Sequence, residues 1–363
     1  MLRNLLKLDW IMLTAALLLV VIGALALFSI TLSGGNINSS YLYRQGISIL
    51  IGIVLLFLLA FSDYRVFNSW STRLYFGAVA LLLLVIIFGT SVRGTVGWLG
   101  FSWLRFQPVE IIKLIMIIFL ASFLSKKRTE LSIFVRVIAS IALVLIPVIL
   151  ILSQPDFGSA VIVLAIWLGM LLVSGINKKN IFLLMLIIFS AGLSGSFFLK
   201  DYQQERIINF LKPQQDPRGS GYNVIQSMVA VGSGGIWGKG LGHGSQSQLN
   251  FIPERHTDFI FAVIAEELGF VGSAVVLFLF GILFYRLRET ARLARDNFGY
   301  LMAVGILLMY FSQVFINIGM NIGLVPVAGV PLPLLSYGGS SLTVMLASLG
   351  IVQSIYLRKL KTD

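Results

Sequence analysis

Long, uninterrupted runs of apolar residues recur from one end of this 363-residue chain to the other. A helix needs about 20 such residues to cross the hydrocarbon core of a bilayer, whereas strands of an outer-membrane barrel alternate in segments of about ten residues. The runs predict ten spans, at approximately Trp10–Thr31, Ile47–Phe61, Leu74–Thr90, Val109–Leu124, Ile133–Leu152, Gly158–Val173, Ile181–Leu199, Phe259–Tyr285, Tyr300–Val325 and Ser340–Leu357. The pattern therefore predicts an all-α, polytopic integral membrane protein, built as one membrane domain over residues 1–363.

One long polar connection, residues 199–258, separates the seventh and eighth predicted spans. Connections of this length are usually functional or disordered. Trp237 and the apolar stretches Tyr222–Val231 and Leu249–Ile252 supply anchors that argue against disorder. We expect short helices at the membrane surface that partly re-enter the membrane.

Lysine and arginine set the orientation of the chain. Most of the 27 basic residues fall near the two termini and in the connections that ten spans place on the same side as the termini. Short cytoplasmic loops carry an excess of these residues, so both termini are predicted to be cytoplasmic and the long connection extracytoplasmic. The same distribution accounts for the net charge of +12 without a nucleic-acid partner.

Composition narrows the possible chemistry. Hydrophobic residues make up 58 % of the chain and charged residues 12 %, which excludes an ordinary soluble domain. The chain has no cysteine and two histidines, so disulfides, thiol catalysis, cysteine-ligated metals and multi-histidine metal sites are excluded. No cofactor is indicated with certainty, and any bound metal would be a hard cation such as Mg²⁺ or Mn²⁺ on carboxylates.

The stretch Asn250–Phe270 places a cluster of ionisable side chains at the mouth of the eighth span. Charged groups at membrane depth are costly and usually face a cavity or a partner, which makes Asp258 a candidate for chemistry. A second reading is that Thr257 or Asp258 caps the helix that follows. The two readings are compatible, and both stay open at this point.

Glu110 and Lys113 stand three residues apart at the start of the fourth span, so they share one helix face and can pair. They form either a structural ion pair or, with nearby Arg105, a site for an anionic head group. Arg206 and Lys239 add cations on the predicted outer face, and a phosphate ligand would need several such donors.

Two further outer elements are predicted, at Gly89–Gln107 and Asn321–Ser341. The first contains Arg93 and Trp98, and tryptophans at this depth commonly anchor a chain at the membrane interface. The second contains three prolines and cannot be a straight helix. Irregular backbone at membrane depth is tolerated where it is buried or lines a cavity, so a cavity that opens outward is predicted.

The chain resembles the SEDS family of shape, elongation, division and sporulation proteins, to which RodA and FtsW belong. The resemblance covers essentially the whole chain and rests on an ordered set of motifs: Arg105-Phe-Gln-Pro-Val-Glu110-Ile-Ile-Lys113, Gln154-Pro-Asp156-Phe-Gly158, Gly221-Tyr222 with Gln226-Ser227, Gly232-Ser233-Gly-Gly235, Pro253-Glu254 with Thr257-Asp258-Phe259, and Asn317 to Ser341 ending in Leu-Leu-Ser-Tyr-Gly-Gly-Ser-Ser.

This resemblance implies a peptidoglycan glycosyltransferase that polymerises lipid II at the outer face of the bacterial cytoplasmic membrane. It also implies a class B penicillin-binding protein as transpeptidase partner, together with the cell-elongation machinery and membrane lipid. The family's essential acid corresponds to Asp258, which is the predicted catalytic residue and a potential ligand of a divalent cation. The predicted substrate-binding residues are Arg105, Lys113, Glu110, Arg206, Lys239, Arg93, Trp98, Gln226 and Ser233.

Three alternatives stay open from the sequence: a lipid II flippase, an FtsW-like polymerase of cell division, and a scaffold that recruits the transpeptidase. A flippase needs a polar route that reaches both faces of the membrane, and the cytoplasmic halves of the predicted spans are almost wholly apolar. A scaffold leaves the outer acid and cations unexplained. The short chain, without long tails, favours the RodA-like role in elongation.

Overall fold

The computed structural model describes residues 5–32, 39–92, 95–100, 106–126, 133–175 and 220–359. The helices in these ranges are α1 (Trp10–Thr31), α2 (Ser39–Phe61), α3 (Val66–Phe88), α4 (Pro108–Ser125), α5 (Ile133–Ser153), α6 (Phe157–Val173), α7 (Ser220–Ser233), α8 (Ser245–Gln248), α9 (Ile260–Arg292), α10 (Asn297–Asn321) and α11 (Gly339–Leu357). Two short strands, β1 (Thr90–Val92) and β2 (Thr95–Trp98), lie between α3 and α4.

The helices confirm the predicted all-α membrane architecture. Within the described ranges, eight helices are long and apolar enough to cross a bilayer, and α6 is an apolar helix of 17 residues. These nine correspond to nine of the ten predicted spans. The remaining one, Ile181–Leu199, lies outside the described residues.

Helix starts follow local sequence signals. Asp9, Asp156 and Asp296 each hold an N-cap position, where the side chain accepts a backbone N–H at 3.2, 3.0 and 2.7 Å respectively. From the sequence alone, Gln154 and Asp156 on either side of Pro155 predict a turn and a helix cap, and the cap at Asp156 is confirmed. Pro108 occupies the first turn of α4, where the missing N–H has no helical partner to lose.

Burial separates central helices from peripheral ones. In their most apolar windows, α11 is 83 % buried and α4 72 % buried, whereas α2 is 22 % and α3 28 % buried. Many exposed residues of the peripheral helices are large and apolar, Leu58 and Phe76 among them, as a lipid-facing surface requires. The core of the bundle therefore lies around α4, α10 and α11.

Glycines allow close contact where these helices meet. A Cβ atom on Gly350 of α11 would lie 2.4 Å from the carbonyl oxygen of Leu56 in α2, and one on Gly23 would lie 2.4 Å from that of Leu335. Without a driving force from water exclusion, membrane helices depend on such close backbone packing. These two glycines thus determine how closely α2 and α11, and α1 and the Leu335 segment, can pack.

Gly350→Ala is expected to lower the thermal unfolding temperature, because the new methyl group would collide with the backbone of α2. Gly77→Ala in α3 is the matched control, since a Cβ there meets nothing within 4 Å. Alanine is favoured over glycine inside a helix by about 1 kcal/mol, so this control should leave the protein equally or more stable. Equal unfolding temperatures for both variants in detergent would contradict the packing argument.

Helix α9 is broken at Gly269, whose backbone angles are φ 67° and ψ −162°. A break leaves carbonyl and N–H groups without helical partners. The preceding loop satisfies them through four hydrogen bonds: Lys239 N to Glu266 O (3.0 Å), Gly240 N to Glu267 O (2.9 Å), Phe270 N to Gly235 O (2.9 Å) and Val271 N to Ile236 O (3.1 Å). The broken helix and the loop therefore form one hydrogen-bonded unit.

The strands β1 and β2 form an antiparallel hairpin that the sequence analysis did not predict. The pairing continues at Leu99 and Phe106, which exchange backbone hydrogen bonds at 2.9 and 2.8 Å. The hairpin leads directly to Pro108 at the start of α4. It thereby determines where the chain enters the central helix.

Paired polar groups join the helices at one end of the bundle, here called the basal end and defined by Asp9, Tyr64, Arg286, Asp296 and Gln353. Arg286 Nε lies 2.7 Å from Asp9 Oδ2, and the Tyr64 hydroxyl donates to Asp296 Oδ2 at 2.8 Å. Gln353 accepts the N–H of Asp9 at 2.9 Å and donates to its carbonyl at 3.0 Å. These contacts link the first helix to α9 and α11.

Candidate active site around Asp258

Asp258 lies in a compact turn, residues 253–259, that directly precedes α9. The carbonyl of Glu254, a residue with φ +54°, accepts the N–H groups of Thr257 and Asp258 at 3.1 Å each. The predicted cap at Thr257 or Asp258 is wrong in position. The turn extends one residue further, so the N-cap falls on Phe259, which makes no side-chain capping bond.

Two buried asparagines of α10 hold the backbone of Asp258. Nδ2 of Asn317 donates to the Asp258 carbonyl at 2.9 Å, and Nδ2 of Asn321 donates to it at 3.0 Å. Asn317 also donates to Val330 O at 2.7 Å, while Asn321 Oδ1 accepts the N–H of Ala262 at 3.1 Å. Both asparagines are fully buried, so the position of Asp258 is tied to the packed core.

The irregular segment between α10 and α11 packs against the same turn. The Ser336 hydroxyl donates to Thr257 O at 2.6 Å, and the N–H of Tyr337 donates to His256 O at 2.8 Å. A Cβ on Gly329, which has φ +66°, would lie 3.8 Å from Oδ2 of Asp258. The Asp258 carboxylate therefore lies beside the turn at Gly329, and the Asp258 residue is partly exposed.

Three aromatic rings flank this turn. The ring of His256 lies 5.0 Å from that of Tyr41 and 5.8 Å from that of Tyr337, measured between centroids. Tyr41 and Tyr337 meet edge to face at 5.1 Å. All three residues are partly exposed, so the rim beside Asp258 is aromatic on this side.

Glu266 is fully buried and organises the loop between α7 and α9. Lys239 Nζ lies 2.8 Å from its Oε1, which also accepts the N–H of Gln246 at 2.9 Å. Its Oε2 accepts the N–H of Ser247 at 2.9 Å. The predicted substrate-binding residue Lys239 is thus ion-paired within the protein.

Glu267 extends this buried cluster toward α1. Its Oε1 accepts hydrogen bonds from the Ser29 hydroxyl at 2.7 Å and from Gln248 Nε2 at 3.0 Å. Arg255 donates to the carbonyl of Ser247, which joins the cluster to the turn that carries Asp258. Burial lowers the pKa of Arg255 below its ordinary value, against the raising effect of the Glu267 charge.

Glu110 and Lys113 form the predicted ion pair, with 2.7 Å between Glu110 Oε1 and Lys113 Nζ and side-chain exposures of 2 % and 1 %. Among the described residues, Oε2 of Glu110 has no hydrogen-bond partner. The N–H of Gln107, just before α4, donates to the Ser340 hydroxyl at the start of α11 at 2.9 Å. This bond places the pair on a helix that begins beside the 322–338 segment.

The other predicted substrate-binding residues in the described ranges are at least partly exposed. Trp98, at the end of β2, is partly exposed, and its carbonyl accepts the Thr90 hydroxyl at 3.2 Å. Gln226 is partly exposed on α7, and the Ser233 hydroxyl donates to its own helix at Ala230 O, 3.0 Å away. Arg93, Arg105 and Arg206 lie outside the described residues, so their predicted roles stay predictions.

Sequence reasoning did not select the side chains that position Asp258, namely Asn317, Asn321 and Ser227. The Ser227 hydroxyl donates to Asn321 O at 2.8 Å and so couples α7 to the same network. The sequence does contain a signal for this network, namely two asparagines four residues apart in an apolar helix. Amide side chains at membrane depth need hydrogen-bond partners, because leaving them unpaired is costly.

No group of three or more histidine, aspartate or glutamate side chains that could hold a metal ion occurs in the described ranges. A divalent cation at Asp258 therefore stays a prediction. Such a cation would need oxygen ligands from a substrate in addition to this carboxylate.

Comparison with known proteins finds relatives that match this chain over almost its whole length. One relative is the peptidoglycan glycosyltransferase MrdB of Escherichia coli (strain K12), 41 % identical over 353 residues, with 97 % of this chain and 94 % of the relative covered. Another is the stage V sporulation protein E of Bacillus subtilis (strain 168), 38 % identical over 354 residues, with 96 % of each chain covered.

Two solved structures superpose on this chain over nearly its whole length. A chain from a study of the structural coordination of polymerization and crosslinking by a peptidoglycan synthase complex superposes with a TM-score of 0.83 at 32 % identity, covering 98 % of this chain and 99 % of the other. The rod shape determining protein RodA of Thermus thermophilus gives 0.73 at 30 % identity, covering 98 % of both chains. The profile of the FTSW_RODA_SPOVE family of cell cycle proteins matches residues 6–360, and the chain belongs to this family.

Proposed function

We propose that this protein is a peptidoglycan glycosyltransferase that polymerises lipid II into glycan strands during cell-wall elongation. The observation that carries the proposal is the fixed backbone of Asp258, whose carbonyl accepts hydrogen bonds from two fully buried asparagines. A partly exposed carboxylate on such a rigid support is suited to act on a bound substrate. The class of reaction is taken from the relative MrdB, which is named a peptidoglycan glycosyltransferase.

In this reaction the 4-hydroxyl of an acceptor N-acetylglucosamine attacks the anomeric carbon of a donor sugar. The new bond joins that oxygen to the anomeric carbon, the bond to the diphosphate oxygen breaks, and undecaprenyl diphosphate leaves. The Asp258 carboxylate takes the hydroxyl proton as attack proceeds, a contribution of about 10²–10⁴ in rate. A single displacement inverts the anomeric carbon and requires no second carboxylate.

The leaving diphosphate gains negative charge, which preorganised cations stabilise. Lys113 and Lys239 are each ion-paired with a buried glutamate, so neither is a free cation for this purpose. Arg105 and Arg206 are therefore the preferred candidates among the predicted outer-face residues.

The proposed orientation places both termini in the cytoplasm and Asp258 at the outer face. Lys and Arg concentrate on the basal side, as the positive-inside rule requires. Helix α10 runs from Asp296 at the basal end to Asn321 beside Asp258, and its 25 residues are enough to cross a bilayer. Outside the cell no nucleoside triphosphate is available, which suits a donor already activated as a lipid diphosphate.

The basal contacts favour a polymerase over a flippase. Asp9 is paired with both Arg286 and Gln353, and Tyr64 is paired with Asp296. A transporter needs a polar route that opens to each face in turn. Here the buried Asp9, Tyr64 and Gln353 are used in contacts within the protein.

A class B penicillin-binding protein is the proposed partner, because one related structure belongs to a peptidoglycan synthase complex that couples polymerization to crosslinking. The similarity to MrdB and RodA favours a role in elongation.

The test is polymerisation of labelled lipid II by the purified protein, alone and with this transpeptidase, resolved as glycan ladders on a gel. Ladders that appear only when this protein is present support the proposal. Movement of lipid II between liposome leaflets, with no ladder in either condition, would overturn it in favour of a flippase.

A further inference from the structure

The loop that pairs with the break in α9 also carries an exposed apolar surface. Ile236 is 64 % exposed, Trp237 79 % and Leu241 47 %. Exposed apolar side chains grouped in a short segment indicate contact with a partner or a membrane. We call residues Gly234–Gly242 the apolar loop.

The apolar loop continues the lipid-facing surface of the span below it. Its carbonyls at Gly235 and Ile236 accept the N–H groups of Phe270 and Val271, the first residues after the helix break. Phe270 is itself 71 % exposed and begins the stretch of α9 that descends toward Arg286. The side chains of the loop and of the span thus form one continuous apolar surface.

The other end of the apolar loop lies at the top of α1. The N–H of Gly242 donates to the Ser29 hydroxyl at 2.9 Å, and Leu32, just past the end of α1, is exposed like Leu241. The loop therefore bridges the break in α9 and the end of α1.

Several backbone groups of the loop already have hydrogen-bond partners, which lowers the cost of placing the loop at membrane depth. The pairing across the helix break uses backbone groups of the loop at four positions. Lys239 is the single lysine or arginine between residues 220 and 253, and its ammonium group is paired with Glu266.

We propose that the apolar loop is seated in the outer leaflet of the membrane, with Ile236 and Trp237 among the acyl chains just below the head groups. The occupant of this surface is lipid, because the surface continues that of a membrane span, and tryptophan is enriched near the membrane–water interface. A loop in this position in the membrane separates the buried side chains of Glu266 and Glu267 from water. The inference concerns the membrane position of the loop and does not depend on the proposed enzymatic activity.

The test uses site-directed spin labels, which the cysteine-free chain allows at single positions. Nitroxide labels are placed by Ile236→Cys and Trp237→Cys in protein reconstituted in phospholipid nanodiscs. His243→Cys in the neighbouring exposed turn is the aqueous control, and Phe278→Cys on the exposed face of α9 is the bilayer control. Collisions with oxygen and with a water-soluble nickel chelate report the depth of each label.

Labels at 236 and 237 are expected to collide with the nickel chelate severalfold less often than the label at 243, and to approach the label at 278 in oxygen collisions. Nickel collisions as frequent as at 243 would overturn the proposal. Protection that appears only after the transpeptidase is added would also overturn it, and would assign the surface to a protein partner. If Trp237→Cys does not fold, Ile236→Cys and Leu241→Cys test the same point.

Discussion

Asp258→Asn is expected to abolish glycan ladders while the protein stays folded, with a fall in polymerisation rate of about 10²–10⁴. Asparagine has the shape of aspartate but cannot take up the proton of the attacking hydroxyl. The bonds from Asn317 and Asn321 reach the backbone carbonyl of residue 258 and not its side chain, so they persist in the variant. The measurement is single-turnover polymerisation of labelled lipid II, together with thermal unfolding of the same preparation.

Asp156→Asn is the matched control for this experiment. Asp156 caps α6 through a hydrogen bond to the N–H of Ser159, and asparagine caps helices about as well as aspartate. This variant should therefore keep both activity and stability. Undiminished ladders from Asp258→Asn would remove Asp258 from the chemistry while leaving the polymerase proposal standing.

Lys113→Met is expected to be among the most destabilising single substitutions in this protein. It leaves the Glu110 carboxylate without its cation at a site that is 2 % exposed, and breaking a buried pair in this way costs about 3–5 kcal/mol. The double variant Glu110→Leu/Lys113→Met removes both charges and should recover most of the stability. The measurement is thermal unfolding of the single and double variants in one detergent.

Arg292→Met provides the exposed counterpart. Arg292 lies 3.7 Å from Glu289 and its side chain is 63 % exposed, so this change should cost less than about 1 kcal/mol. Equal losses for Lys113→Met and Arg292→Met would contradict the importance of burial. If the stable double variant still polymerises lipid II, the ion pair is purely structural. If it does not, the lysine of the pair also contacts substrate.

The helical framework could be predicted because its signals are local. A run of about 20 apolar residues has few alternatives to a membrane span, and α1 occupies the predicted range Trp10–Thr31. The cap at Asp156 and the pair of Glu110 with Lys113 involve residues three apart on one helix or its first turn. Their geometry follows directly from the helical repeat.

The support of the candidate site could not be predicted in the same way, because its contacts join distant parts of the chain. Lys239 pairs with Glu266, 27 residues later, and Asn317 reaches Asp258 across 59 residues. Either residue could have had several partners before folding. The cap position at Phe259 depended on one additional residue in a turn, and helix ends are uncertain by about this amount from sequence.

The break in α9 at Gly269 could not be predicted from the sequence for a different reason. Glycine within an apolar run is common in membrane helices, so the residue alone does not indicate a break. What makes the break stable is the loop at residues 235–240, whose backbone groups pair with both sides of it. That pairing is formed by backbone atoms, and its trace in the sequence is glycine, since a Cβ on Gly238 would lie 2.2 Å from the carbonyl oxygen of Glu267. A glycine in a loop does not by itself name the segment that it approaches.

The contacts between Asp9 and Gln353 have a consequence for how the protein is made. The two residues are 344 positions apart, so the first helix enters the membrane long before its partner leaves the ribosome. The Asp9 carboxylate has no ion-pair partner until Arg286 is made, and the backbone groups of Asp9 have no side-chain partner until Gln353 is made. The contacts of the basal end are therefore completed only at the end of synthesis, and a chain that stops before α9 would leave the buried Asp9 carboxylate without its cation.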